Sequence, residues 1–364
     1  MAHARKRSIV YFLPLAVAGL ATPAAQAQST VNVSGILDAA GRYVSNEGFG
    51  SMKSLVSGNN ATSRLIFSGR EDLGGGLAAS FHLEHGILVD AGTPASTTKF
   101  WDRRSTVSLS GKGWGELRLG RDFVPSYTAW SRYDPFGYIG AARSANFVSA
   151  TPVGAIRAAF GTAANSTVRT DNAVQYFLPA GLGGVEGYAL VGAGEGGAVT
   201  TGANKVMGGR IGYSGGGFSV TAAHTTSENS QTTAGKFKDT TLGGSFDVAM
   251  VKLSAAFRRF EYDTSKQELL LVGASATFGA AEIKASWTRS DASGRVGTAQ
   301  IGANDATQIG LGAVYNLSKR SALYSTAAKI SNKGASRYLI TDGPSSVAAA
   351  GTSRGVEFGV RHRF

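Results

Sequence analysis

Alternation of apolar and polar residues, renewed along nearly the whole chain, is the feature that most restricts how this sequence can fold. Across residues 31–39, Val31, Val33, Leu37 and Ala39 share one face, while Asn32, Ser34 and Asp38 share the other. Leu77, Ala79, Phe81 and Leu83 alternate with Ala78, Ser80, His82 and Glu84. Leu117 and Leu119 alternate with Glu116 and Arg118, and Val356, Phe358, Val360, His362 and Phe364 with Glu357, Gly359, Arg361 and Arg363. A period of two is the signature of a strand with two unlike faces. About 16 such segments can be read: 31–44, 63–71, 77–89, 102–111, 115–122, 168–178, 183–192, 205–214, 217–227, 237–248, 250–262, 267–278, 280–290, 304–316, 319–330 and 353–364. No window sustains the three-to-four spacing of a capped helix.

The connections carry a second pattern. Those at 73–76, 112–114, 215–216, 248–249, 279–280 and 317–318 are short, whereas 45–62, 90–101, 123–167, 193–204, 228–236, 291–303 and 331–352 are mostly long. Short and long ends in turn describe an up-and-down antiparallel barrel with tight turns at one rim and loops at the other.

Alternation alone does not say which face is inside. A soluble β-sandwich buries its apolar face, and a membrane barrel turns that face to lipid around a wet lumen. The polar face carries Asp38, Arg64, Glu84, Arg104, Glu116, Arg118, Glu357, Arg361 and Arg363, which a water-filled channel holds without desolvation. Charged residues make up only 16% of the chain, against about 25% in an average soluble domain. The absence of Cys among 364 residues excludes disulfide scaffolds, Cys-ligated zinc, iron–sulfur clusters and thiol catalysis. Bundles of membrane helices need apolar runs of about 20 residues, and none occurs.

Both ends fit an exported barrel. Arg5, Lys6 and Arg7 precede an apolar stretch from Ile9 to Ala21, and Ala25-Gln26-Ala27 is an A-x-A site, the three-part form of a secretory signal peptide. Removal of 1–27 leaves a single expected domain, 28–364, with 33 Lys and Arg against 24 acids. The other end closes on Phe364 after apolar residues at period two, the form of a signal read by the outer-membrane assembly machinery.

Several stretches carry a family resemblance: 35–39 (Gly-Ile-Leu-Asp-Ala), 63–69 (Ser-Arg-Leu-Ile-Phe-Ser-Gly) followed by 71–77 (Glu-Asp-Leu-Gly-Gly-Gly-Leu), 81–84, 107–111, 119–121, 134–137 (Asp-Pro-Phe-Gly) and the closing 359–364. In this order they resemble the trimeric general-diffusion porins of Gram-negative outer membranes, and 63–77 is the most specific of them. The resemblance implies a transmembrane antiparallel β-barrel of 16 strands, a homotrimer, and a long third external loop folded into the lumen as a constriction. The longest connection, 123–167, falls where that loop belongs. It contains Pro125, Pro135 and Pro152, which oppose strand pairing.

Selectivity in a narrow pore comes from charges that project into it. Candidate pore-constriction residues on the wall by parity are Arg64, Arg104 and Arg118. Arg103 matches the family's arginine in the fourth strand but has lipid-face parity, which calls for a bulge or a rim position. Arg121 closes a family motif, and Asp122, Arg132, Asp134 and Arg143 come from the loop and its approach. Between 123 and 167 there is one acid, Asp134, against Arg132, Arg143 and Arg157. The family often sets an acidic loop against a basic wall; this balance departs from it and predicts a modest anion preference.

Other chemistry finds little support. His82, Glu84 and His85 suggest a metal cluster, but on a strand His85 points away from the other two, so no metal or cofactor is expected. The glycine triplets 74–76 and 215–217 lack the Lys of a phosphate cradle, and the arginines are too dispersed for nucleic acid. The expectation is a non-enzymatic channel in the outer membrane, in contact with lipid, lipopolysaccharide, small ions and solutes. A secreted sugar-binding β-sandwich and a lipid-cleaving barrel are the rival readings.

Overall fold

The computed structural model describes residues 30–148, 154–161, 165–195 and 204–364. The expected leader, 1–27, and Pro152 lie outside the described residues.

The chain runs through β1 (Thr30–Asn46), β2 (Gly50–Ser57), β3 (Arg64–Gly74), β4 (Leu77–Leu88), the minimal β5 (Thr93–Pro94), β6 (Arg104–Gly111) and β7 (Gly115–Phe123). Two short helices follow, α1 (Pro125–Ser131) and α2 (Ala155–Phe160), with a 3-10 turn at Ser144–Phe147 between them. Then come β8 (Arg169–Phe177), β9 (Val185–Gly192), β10 (Lys205–Gly215), β11 (Phe218–Glu228), β12 (Phe237–Val248), β13 (Val251–Tyr262), β14 (Ser265–Phe278) and β15 (Ala281–Ser293). A small hairpin of β16 (Arg295–Val296) and β17 (Ala299–Gln300) precedes β18 (Ala306–Asn316), β19 (Ser321–Asn332) and β20 (Thr352–Arg363).

Successive wall strands pair antiparallel, and β20 returns to β1 in a register from Ile36↔Arg363 to Asn46↔Ser353. The sheet therefore closes and leaves no edge. β2 and β3 together make one wall strand. β2 lies against the outer half of β1, from Ala39↔Ser57 to Asn46↔Gly50, and β3 against its inner half, from Ile36↔Arg64 to Thr30↔Arg70. Counted this way, the wall has the expected 16 strands.

Three connections depart from the alternation of short and long ends. The span 45–62 is mostly strand: β1 and β2 meet at a tight turn, and only 58–63 leaves the ladder. Its Gly, Ser and Asn content reads as loop, but its ladder to β1 decides the outcome. At the same rim β13 and β14 are joined by Asp263 and Thr264 alone, with Asp263 at a φ of 50°. At the opposite rim the β8–β9 connection spans 178–184.

The outward face is apolar. Val31, Leu119, Met207, Ile211, Leu242, Val272, Ile309, Leu311 and Phe358 are all exposed and alternate with buried polar neighbours such as Thr241, Gln308 and Glu357. At the short-turn rim the outward residues become aromatic: Trp114, Tyr176, Tyr213, Phe218, Phe246, Phe278, Tyr315 and Phe364 are exposed there. Aromatic girdles mark membrane–water boundaries. Among the described residues no helix is long and apolar enough to cross a membrane; the strands supply the apolar band.

Inside, the main apolar cluster joins the long connection to one arc of wall: Trp130, Tyr133, Phe136 and Phe147 pack with Phe260, Leu269, Leu271 and Ile330. Glycines on the inner face make room for it. A Cβ at Gly312 would come 2.8 Å from the Phe136 ring, and one at Gly310 would come 2.5 Å from the Ala142 methyl. Gly273 receives Pro135, and Gly243 receives Tyr133.

Candidate functional site

Two arcs of the inner wall differ in chemistry. On the arc from β11 to β18, side chains are spent on holding the connection between β7 and β8. Arg258 and Asp239, both fully buried, form an ion pair at 2.7 Å. Arg258 Nη2 also donates to the Thr167 carbonyl at 2.7 Å, and Ser126 Oγ donates to Asp239 Oδ2 at 2.7 Å. Gln267 Nε2 donates to the Phe147 carbonyl at 2.7 Å. Asn146 Nδ2 donates to Gln308 Oε1 at 2.8 Å, while Gln308 Nε2 donates to the Ala142 carbonyl at 2.8 Å. The Ala141 amide donates to Glu357 Oε1 at 3.2 Å, so the connection reaches β20.

On the arc from β3 to β10, the inner wall is arginine-rich and carboxylates are shared. Glu84 Oε1 accepts from Arg103 Nε at 2.5 Å and lies 3.4 Å from Arg64 Nε. Asp122 Oδ2 lies 2.9 Å from Arg118 Nη1 and 3.3 Å from Arg104 Nε, and Arg118 also holds Glu116 at 2.8 Å. Glu186 serves both Arg132 and Arg210. Arg169, which the sequence reading did not single out, lies 4.4 Å over the Phe123 ring and makes no ion pair among the described residues.

The detour at 58–63 adds a polar patch. The Asp38 carboxylate accepts from the amides of Asn59, Asn60 and Ala61, at 2.7–3.1 Å, and from the Tyr324 hydroxyl. Arg42 bridges Glu357 and Asp342 at 2.6 Å each. Arg361 Nη1 donates to Asn60 Oδ1 at 2.6 Å.

The structure thus brings Arg64 and Arg103 to Glu84, and Arg104 and Arg118 to Asp122. Arg103 reaches the lumen because it precedes the first residue of β6 and is not bound by the ladder's parity. Arg121 shares the parity of outward Leu117 and Leu119; its guanidinium goes to Asp171 at 2.5 Å, where Lys99 also binds at 2.7 Å. The loop charges are differently engaged. Asp134 is buried and accepts from Phe136 N, Tyr138 N and Ser144 Oγ, at 2.5–3.1 Å. Burial pushes its carboxyl above the ordinary range, against the donors that pull it down. Arg143 Nε donates to Asn146 Oδ1 at 3.0 Å, with its guanidinium lowered by desolvation. Arg157 caps its own helix at the Gly161 carbonyl, 3.2 Å away. Arg132 alone of the loop arginines stretches to the wall, reaching Glu186 and Ser214.

One sequence signal could have located the covered arc. Leu269-Leu270-Leu271-Val272 is apolar on both faces, as a strand buried on both sides must be: Leu269 and Leu271 are buried under the connection, while Leu270 and Val272 are exposed on the outside. Arg169 had no comparable signal, since nothing in the run Thr167-Val168-Arg169-Thr170 marks it and its partner Phe123 lies across the whole connection. His82 lies 3.4 Å from Glu84, and His85 stacks on Phe100 at 4.4 Å.

Comparison with known proteins agrees with this architecture. A Gram-negative porin family profile matches residues 15–335. The chain is 34% identical to outer membrane porin protein 32 of Delftia acidovorans, over 99% of this chain and all of that protein. It is 27% identical to an outer membrane porin protein of Bordetella pertussis, over 85% of this chain and 84% of that one. Among solved structures, an anion-selective porin from Comamonas acidovorans superposes with a TM-score of 0.78 at 33% identity, over 93% of this chain and all of that one. A closed 16-strand wall, an apolar exterior, a charged interior and these relatives together lead to one conclusion: the chain belongs to the Gram-negative porin family, the β-barrel channels of the outer membrane.

Proposed function

We propose that the pore of this outer-membrane channel prefers anions modestly while passing small hydrophilic ions and solutes by diffusion, and that its narrowest part lies between the 124–168 connection and the arginine wall. Arg64, Arg103, Arg104, Arg118 and Arg169 line that passage. One observation carries the preference: Glu84 and Glu186 are each shared by two guanidiniums, and Arg169 has none to share. Each of these groups keeps a positive excess inside a narrow lumen, where ring charges set selectivity. The excess at the shared carboxylates comes from the wall; of the loop charges, on which together with the mature net charge the sequence expectation rested, Asp134 is buried and Arg143 and Arg157 turn to neutral groups of the loop itself. The anion selectivity named for the Comamonas acidovorans relative supports the same reading. The reversal potential across a KCl gradient tests it, with chloride expected to be the more permeant ion; a potassium-selective pore overturns it.

The remaining roles belong to the same proposal. Residues 1–27 are a cleaved leader and 28–364 one domain. The chain works as a homotrimer, a form named for an OmpT structure of Vibrio cholerae with a TM-score of 0.61 and 15% identity, over 92% of this chain and 99% of that one. Phe364, whose amide and carbonyl both pair with Gly35 at 3.1 Å, serves the assembly machinery as the end of the closing strand. Lys329 and Arg354 stand opposite each other on exposed positions of β19 and β20 near the loop rim, where outer-leaflet lipopolysaccharide phosphates would offset their repulsion.

A further inference from the structure

A cavity of about 340 Å³ opens in the lumen wall beside α1, between β7 and β10. Its size falls at the small end of ligand sites. Its walls divide into two kinds. One is carbon: Phe177 and Tyr188 stack with ring centroids 4.6 Å apart, and Phe123 and Leu178 extend that surface. The other consists of donors: Gln175, Arg104, Arg118 and Arg210.

Gln175 is only 1% exposed, and its amide nitrogen has no hydrogen-bond acceptor among the described residues. Arg210 Nε likewise has none, although its Nη2 holds Glu186 at 2.8 Å. An unpaired buried donor is destabilising and calls for an explanation in a native structure. Here three of them line one cavity, since Arg104 Nε, 3.3 Å from Asp122, also makes no hydrogen bond among the described residues, and all lack the same thing, an acceptor. The acids at its rim, Asp122 and Glu186, are already held by arginines.

We infer that this alcove is a solute-binding subsite for small organic monocarboxylates with a compact apolar body. The carboxylate would accept from Gln175 and the arginines, and the body would lie against Phe177 and Tyr188. This rests on the channel reading above but goes beyond charge preference, because it makes the channel distinguish anions of equal charge. Solutes entering the alcove would interrupt the ion current.

Benzoate, acetate and benzamide, added to single channels of the purified protein in KCl, separate the contributions. Benzoate should block the current saturably, with a half-blocking concentration about two- to tenfold below that of acetate, since an aromatic contact is worth about 0.5–1.5 kcal/mol. Benzamide, lacking the charge, should block more weakly than benzoate. Gln175→Leu and Tyr188→Leu should each raise the half-blocking concentration of benzoate about three- to tenfold, each compared with its own KCl conductance. A single variant that fails to fold leaves the other, and the wild-type comparison of three solutes, to decide. Equal block by benzoate and acetate, or block unchanged in a folded variant, overturns the subsite while leaving the channel intact. Absence of any KCl conductance in the wild type overturns both.

Discussion

The inner faces of β12–β18 and of β3–β10 share one strand period but do opposite work. Around Gly243, Gly273, Gly310 and Gly312 the wall gives up side chains so that Tyr133, Pro135, Phe136 and Ala142 can approach. Around Glu84, Asp122 and Glu186 it carries long cations that meet across strands. The first arc is a seat and the second a lining. Polarity on the inside of a barrel is therefore not uniform. Where a loop covers it, the inner face resembles a protein core, and where water reaches it, charge accumulates. Closing a sheet of this size leaves a lumen wider than side chains fill, so the loop supplies the filling on one side only.

The largest test of that contrast is at the base of the seat. Removing one partner of a fully buried ion pair typically costs about 3–5 kcal/mol, so Asp239→Ala should lower the temperature at which the folded barrel loses its compact electrophoretic mobility. An unchanged transition would mean that the Arg258 pair does not anchor the connection. Next in size, Gly310→Leu inserts a side chain where the Ala142 methyl sits 2.5 Å away. Overpacking of this kind costs about 1–3 kcal/mol; the connection should lift, and the single-channel conductance should become larger and noisier. Gly209 offers a control, since it lies between the outward Met207 and Ile211 and a Cβ there meets nothing closer than 3.6 Å. Gly209→Ala should keep the wild-type conductance, and a matching disturbance there would show that strand glycines matter for a reason other than loop seating.

On the lining arc the effects are smaller and electrical. One unit charge near the path is worth about 0.5–1 kcal/mol in water-rich surroundings, so Glu84→Gln should raise the chloride-to-potassium permeability ratio about two- to fivefold, and Arg64→Gln should lower it by a similar factor. Ratios that move together in the two variants would remove the Glu84 group from the selectivity path. Smallest of all, salt should compress the preference. Screening shortens from about 10 Å at 0.1 M to about 3 Å at 1 M, so the measured ratio should fall toward one over that range; a constant ratio would point to size exclusion in place of charge.

Particular residues show how far the sequence could be read. Leu117 and Leu119 against Glu116 and Arg118 already declared a strand and its two faces, and the register of β6 and β7 follows that parity with Val107↔Leu119 and Leu109↔Leu117 both outward. Arg104 and Arg118 could be placed on the inner wall for the same reason. Arg103 could not, because its orientation depends on where β6 begins pairing. Asp134 read as a loop charge at the constriction; the residues that follow it fold back on it and bury the carboxylate. The span 45–62 read as a loop, because Gly, Ser and Asn dominate it and the β1 ladder that orders most of it is not a property of its own residues.

The amino-acid order by itself therefore settled strand number, the division of each strand into two unlike faces and the alternation of most rims, since these follow from a local period of two and from turn chemistry within a few residues. Tertiary structure alone decided which inner face would be covered and which would stay wet. That choice depends on contacts between residues more than 100 positions apart, such as Phe147 with Gln267, Ala142 with Gln308 and Ser126 with Asp239. Charge sharing across strands was settled at the same level, because a guanidinium finds its carboxylate only after register has fixed which strands are neighbours.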